Sequence, residues 1–193
     1  MRYHRTYLNA TNDLKDDHLL VRRLGAVAQK CSDNLYNKTS IPIEDIEAIS
    51  AVIQEFVDRF HHGKEEKAYF PQTKDKNSYS KDIRKFLIEH ELGRRIANML
   101  LRSIIAWKSG IDSREPVARF LKSYAVFISD HTGKEDKFFD IVEEKGSLSK
   151  GEHTILMEHY ERCRKDVGGK VRMEQMVKLI EYLEEREWMK KLM

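Results

Sequence analysis

Apolar residues recur every three to four positions over long stretches of this chain, which is the spacing of one face of an α-helix. In the stretch that follows Pro42, this spacing links Ile46, Ile49, Ile53 and Phe56. No stretch alternates apolar and polar residues for long enough to predict a strand. The pattern therefore predicts an all-α protein.

Proline, glycine and short polar segments divide the helical pattern into four long stretches and two shorter ones. The predicted helices are 12–37, 43–71, 80–108, 113–146, 150–166 and 170–192. Because the connections between the long helices are short, an antiparallel up-down-up-down four-helix bundle is expected. Residues 1–146 would form this bundle, and residues 147–193 a C-terminal helical extension packed on it.

Two phrases of the sequence occur twice, about 70 positions apart. Segment 61–67 reads HHGKEEK and returns at 131–137 as HTGKEDK, while segment 17–23 reads DHLLVRR and returns at 89–95 as EHELGRR. Each half therefore carries one His and, 43 or 41 residues later, a second His with a Glu four positions on. Four imidazoles and two carboxylates in one bundle predict a site for two metal ions.

Residues four apart lie on one face of an α-helix. By this criterion the repeated histidines fall on apolar faces, one on each long helix, and each Glu continues the stripe of its His. The predicted metal ligands are His18, His61, Glu65, His90, His131 and Glu135. Two buried carboxylates need a cationic partner, because unpaired buried charge is strongly unfavourable. Imidazole and carboxylate ligands suit iron, manganese or zinc.

The neighbours of these residues are assigned simpler roles. His62 lies about 100° around the helix from His61 and is predicted to face water. The repeated lysines, Lys64 among them, are predicted to lie on solvated faces. Glu66 and Asp136 either orient histidine ligands or form surface salt bridges. The repeated glycine, Gly63 in the first copy, is interpreted as admitting a close neighbour or a bridging ligand.

Composition narrows the class of protein. The net charge of +3 comes from 35 basic and 32 acidic residues that are interspersed, which argues against a nucleic-acid surface. No apolar run approaches the roughly 20 residues that cross a bilayer, and residues 1–7 lack the apolar core of a signal peptide. Cys31 and Cys163 form no metal-binding spacing. A cytoplasmic protein with no membrane partner is expected.

These motifs resemble those of the hemerythrin-like, HHE cation-binding family. The resemblance rests on His18 and on segments 61–71, 89–94 and 131–139, and it covers about residues 10–145. It implies a four-helix bundle that holds two non-haem iron ions joined by an oxo or hydroxo bridge. The iron ligands it implies are His18, His61, His90 and His131, with Glu65 and Glu135 as bridges.

One position departs from the family pattern. Oxygen-carrying hemerythrins have a further His one turn after the third-helix ligand, where this chain has Arg94. Arg94 either points outward or stabilises a bound anion, and one iron is expected to be less saturated by protein ligands. That places simple reversible oxygen carriage in doubt.

The expected function is to bind or react with a small diatomic ligand or peroxide, in sensing, scavenging or carriage of oxygen or nitric oxide. Two alternatives stay open. One is a di-iron enzyme or repair factor (peroxidase, nitric-oxide reductase or iron–sulfur repair) served by a redox partner protein. The other is an iron-handling protein that releases its metal on demand.

Overall fold

The computed structural model describes residues 9–190, and every regular element in that range is a helix. The helices are α1 (Ala10–Tyr36), α2 (43–73), α3 (Ser80–Lys108), α4 (Arg114–Glu144), α5 (Lys150–Asp166), α6 (Gly169–Glu184) and α7 (Glu187–Lys190). The all-α prediction is confirmed. The single last helix predicted over 170–192 is wrong, because α6 ends at Glu184 and the short α7 follows. None of the described helices is both long and apolar enough to span a membrane.

α1 to α4 form the bundle. Near the start of α1, Lys15 bonds to Asp140, and near its end Ser32 donates to the carbonyl of Ala118. Because later residues of α1 contact earlier residues of α4, these two helices run antiparallel. α4 also packs against α3 over much of its length.

The apolar interior described here consists of two clusters, separated by a polar layer. One cluster takes residues 21–35 of α1 and 117–128 of α4, and the other takes residues 10–14 of α1 and 138–142 of α4. α2 and α3 divide in the same way. On every bundle helix the repeated motif lies in the interval between the two clusters. The repeated motifs of all four helices therefore lie at the same level of the bundle.

α2 is not a regular α-helix. It is α-helical over Ile43–Val52, His62–Lys64 and Phe70–Thr73, and π-helical over Ile53–His61 and Glu65–Tyr69. In a π-helix each N–H bonds to the carbonyl five residues earlier, so a turn holds more residues and adjacent side chains are less than 100° apart. π-Helical turns are rare and occur often at functional sites.

The C-terminal helices are fixed to the bundle by a buried carboxylate. Asp45 of α2 accepts hydrogen bonds from the Tyr182 hydroxyl (3.1 Å), Arg186 Nε (2.9 Å) and Trp188 Nε1 (2.8 Å). α6 also adds apolar side chains to the cluster that includes residues 21–35. The division into two domains at residue 146 stays a prediction.

Replacing Asp45 should loosen this attachment. We expect Asp45→Ala to lower the free energy of unfolding by about 2–4 kcal/mol, because Trp188 Nε1 would be left buried without an acceptor. Urea denaturation measures the loss, and amide exchange should accelerate in 169–190 more than in α3. The control is Glu47→Ala, which removes an exposed pair with Lys108 and should change stability by at most about 1 kcal/mol. Equal losses in the two variants would contradict the role of Asp45.

Candidate metal centre

The polar layer between the apolar clusters brings the predicted site residues together. Each bundle helix contributes one of the four repeated histidines, and α2 and α4 contribute the glutamates. All six are at most 1% exposed: His18, His61, Glu65, His90, His131 and Glu135. Their side chains are therefore removed from bulk solvent.

Glu65 lies between histidines of three different helices. Its Oε1 is 3.5 Å from His61 Nε2 and 3.9 Å from His18 Nε2. Its Oε2 is 3.3 Å from His90 Nε2. The two oxygens of one carboxylate thus face two different groups of imidazoles, which is the arrangement that a bridging ligand requires.

Glu135 occupies the equivalent position on α4. Its Oε2 is 3.2 Å from His131 Nε2 and 3.4 Å from His18 Nε2, and its Oε1 is 3.3 Å from His90 Nε2. Glu135 therefore lies among the imidazoles of α1, α3 and α4, as Glu65 lies among those of α1, α2 and α3.

The outer ring nitrogen of each repeated histidine is held by a carboxylate from another helix. The Nδ1···O pairs are His18–Asp136 (2.7 Å), His90–Glu66 (2.7 Å), His61–Asp17 (3.1 Å) and His131–Glu89 (2.8 Å). An ionised carboxylate only accepts, so Nδ1 donates and Nε2 of a neutral ring points its lone pair inward. Histidines that bind metals are commonly oriented by carboxylates in this way.

Each orienting carboxylate is itself paired with a cation. The pairs are Asp136–Arg22 (2.7 Å), Glu66–Arg94 (2.6 Å), Asp17–Lys64 (2.5 Å) and Glu89–Lys134 (2.8 Å). These histidine–carboxylate–cation triads follow the sequence repeat: the triad of His18 corresponds to that of His90, and the triad of His61 to that of His131. The centre therefore has an approximate internal two-fold symmetry.

The orienting role predicted for Glu66 and Asp136 agrees with these contacts, and both also form ion pairs. Asp17 and Glu89 were missed, although each precedes a repeated histidine by one residue and so was marked by the repeat. Arg94 Nε donates to Asp58 at 2.7 Å and Arg94 Nη2 donates to Glu66 at 2.6 Å. These contacts favour the outward interpretation of Arg94.

Many of the inward-facing atoms have no hydrogen-bond partner among the described residues. They are Nε2 of His18, His61 and His131, both oxygens of Glu65, Oε2 of Glu135 and both ring nitrogens of His62. Buried polar atoms are nearly always paired. Lone pairs of imidazole and carboxylate that face one another repel, and a metal cation is the group that would satisfy both. The donor set therefore fits a metal.

The electrostatics of the cluster also call for positive charge. Burial alone would lower the pKa of His18, but the hydrogen bond to Asp136 and the nearby carboxylates of Glu135 and Glu65 raise this pKa to about 9. Burial would raise the pKa of Glu135, but the nearby imidazoles of His131, His18 and His90 hold it well below its usual range. Protons or metal ions must balance the two central carboxylates.

The prediction that His62 faces water is wrong. Its side chain is 3% exposed, and its ring stacks on that of His90 with centroids 3.9 Å apart. The π-helical segment before it, in which the His62 N–H bonds to the Val57 carbonyl, explains the error, because it brings residues 61 and 62 closer in angle than an α-helix would. Apolar periodicity carries no signal of this hydrogen-bond change.

With His62 included, the potential ligands form two groups. In each group the ligand atoms lie within 4.8 Å of one another. One group is His18, His61, Glu65 and Glu135, and the other is His62, His90 and His131. Burial and the charges of the surrounding histidines and Arg94 hold the pKa of His62 well below its usual range, so its ring is a neutral donor.

The prediction for Lys64, in the repeated motif, was also wrong. Lys64 is not on a solvated face: its side chain is 1% exposed, against 46% for its counterpart Lys134, because Tyr160 of α5 covers it. A Cβ added at Gly63 or Gly133 would meet no atom of another described element within 4 Å. In the first copy the Cys163 thiol of α5 nevertheless donates to the Gly63 carbonyl at 3.6 Å, and the interpretation of the repeated glycine stays a prediction.

The contrast between the two lysines can be tested directly. Lys64→Ala would leave Asp13 and Asp17 without their shared buried cation, and we expect a loss of about 3–5 kcal/mol in the free energy of unfolding. Lys134→Ala removes an exposed ion pair, and we expect at most about 1 kcal/mol. Urea denaturation of the two variants at matched metal content measures both values, and similar losses would contradict the burial difference.

Comparison with known proteins agrees with this geometry. The family model described as the hemerythrin HHE cation-binding domain matches residues 9–142, which run from the cap of α1 to the last turn of α4. No curated protein and no solved structure matched the chain. The matched range holds both groups of potential ligands and more than half of the 193 residues. The chain belongs to the hemerythrin HHE cation-binding domain family.

Proposed function

We propose that this protein holds two non-haem iron ions and binds or reacts with a small diatomic ligand, oxygen or nitric oxide, or with peroxide. Membership of a cation-binding family and the unpartnered imidazole and carboxylate atoms support the metal. The choice of iron rests on the donor set, which suits it. The observation that carries the ligand-binding role is that one group of potential metal ligands has two histidines and the other has three.

The proposed ligands follow the two groups of buried side chains. His18 and His61 hold the first iron, and His62, His90 and His131 hold the second. Glu65 and Glu135 are shared by both ions. Bound iron would supply redox chemistry and open coordination positions.

The inequality arises at one pair of equivalent positions. In the repeat, Thr132 corresponds to His62. The Thr132 hydroxyl is buried and donates to the Ile128 carbonyl at 2.9 Å, so it serves its own helix. A first iron held by His18 and His61 would therefore have one imidazole fewer than the second, and the position equivalent to that of His62 would be taken by Thr132.

This division changes the significance of Arg94. The sequence pattern predicted four histidine ligands and lacked the further imidazole that oxygen-carrying hemerythrins have at the position of Arg94. That absence placed reversible oxygen carriage in doubt. His62 supplies a fifth imidazole from α2 to the same cluster. We therefore infer that Arg94 is no obstacle to reversible ligand binding.

The remaining residues of the site would hold and shield the metals. The four carboxylates fix the histidine rings through Nδ1, and the paired cations keep those carboxylates ionised and in place. The two apolar clusters above and below exclude water from the layer. Such an environment favours a neutral diatomic ligand over a charged ligand, which would have to give up its hydration on entry.

Metal content and ligand titration test the proposal. Protein expressed with iron and purified without chelators should contain about two iron atoms per chain by elemental analysis, the number that two such ligand groups would hold. Adding nitric oxide or oxygen to the reduced protein should give a spectral change that reverses on removal. Loaded iron without any such change would contradict the ligand-binding role. Steady turnover with a reductant would favour an enzyme, and rapid iron loss to a weak chelator would favour iron handling.

Exchanging the two inequivalent residues gives a sharper test. His62→Thr should weaken retention of one iron by about tenfold or more against a chelator, because it removes a proposed ligand. Thr132→His should retain both irons and abolish the spectral response to nitric oxide, because it fills the open position. His159→Ala, at a partly exposed position of α5, is the control for loss of an imidazole. Full iron retention in His62→Thr would contradict the assignment of His62.

A further inference from the structure

A surface groove between α1 and α4 lies beside the triad of His18, since Arg22 belongs to both. Its volume is about 540 Å³. Small and apolar residues line most of it, namely Gly25, Ala26, Ala125, Val126 and Ile128. Arg22 stands at the end nearest the centre, where it pairs with the carboxylate that holds His18.

Gly25 and Ile128 form the floor of this groove. The Ile128 side chain is buried against Gly25, so closely that a Cβ at position 25 would lie 3.0 Å from Ile128 Cγ2. One turn further along α4, Thr132 donates to the Ile128 carbonyl. Ile128 therefore separates the groove from the position beside Thr132.

The equivalent place in the other half of the molecule is a smaller groove, of about 280 Å³, and charged residues line most of it, among them Asp58, Glu66 and Arg94. There, Asp58 corresponds to Ile128 and His62 to Thr132. Asp58 pairs with Arg94 at 2.7 Å and lies 3.5 Å from His62 Nδ1. The two-fold symmetry of the centre is thus broken in the lining of the two grooves: the α2–α3 side has an ion pair and an imidazole where the α1–α4 side has the apolar side chain of Ile128 and the hydroxyl of Thr132.

We propose that the α1–α4 groove is the entry path of a small uncharged ligand, such as oxygen or nitric oxide, and that Ile128 seated on Gly25 is its gate. The apolar floor favours a ligand that gives up little hydration on entry, and disfavours an anion. Because the contact at Gly25 is tight, passage requires the Ile128 side chain to change rotamer. This inference rests on the proposed function for the identity of the ligand, but the groove and its floor do not depend on bound metal.

The kinetic test uses a matched pair of surface variants on the full chain. Ala26 is an exposed residue of the groove, and Asn98 is its exposed equivalent on α3. In the iron-loaded, reduced protein, Ala26→Trp should slow nitric oxide association by about tenfold in stopped flow, while Asn98→Trp leaves it unchanged. Ile128→Ala should accelerate association by a few fold, because it removes the gate. Iron content per chain should be the same in all variants.

Equal rates in the two Trp variants, with iron loaded and nitric oxide bound, would overturn the path and leave the proposed function intact. Absence of iron or of any nitric oxide response in the unmodified protein would instead overturn the proposed function. Xenon then tests the path alone, because apolar cavities bind it without metal. Crystals of the metal-free chain under xenon should show it on the floor at Gly25 and Ile128. Xenon bound only elsewhere would overturn the path.

Discussion

Two carboxylates buried at the centre of a helix bundle are the constraint on which the rest of this structure depends. Glu65 and Glu135 are fully removed from solvent, and negative charge in such a place is strongly unfavourable unless cations balance it. The surrounding imidazoles, with their lone pairs turned inward by outer carboxylates, create a site that protons or metal ions must complete. The apolar clusters on either side keep water out, which raises the demand for that positive charge.

The sequence repeat appears in the structure as an internal two-fold arrangement of triads, each a histidine, a carboxylate and a cation. Functional interest lies in where this symmetry fails. His62 has no imidazole counterpart, because Thr132 stands in its place, and the buried Lys64 contrasts with the exposed Lys134. The first difference would leave the two proposed irons unequally saturated. The second arises from α5, which places Tyr160 over Lys64.

The C-terminal helices accordingly do more than lengthen the chain. Asp45 fixes the end of the extension through Tyr182, Arg186 and Trp188, and α5 places Tyr160 over the Lys64 ammonium group. The extension thus encloses the outer cation of the His61 triad, whereas the equivalent cation of the His131 triad, Lys134, stays exposed. The extension therefore makes the two halves of a pseudo-symmetric bundle different.

The helices, their order and the six repeated His and Glu residues were determined by the sequence itself, because helical periodicity and a repeated motif are local and can be read along the chain. The sequence suggested an orienting role for two of the four carboxylates, Glu66 and Asp136. The same role of Asp17 and Glu89 was missed, because these residues acquire their partners only when the helices pack. His62 was misplaced because its burial depends on π-helical hydrogen bonding within α2. Lys64 was misplaced because its burial depends on α5, which lies about 100 residues further along the chain and places Tyr160 beside it. Contacts between distant segments, which no local pattern encodes, decided which imidazoles meet and which members of the repeat are buried.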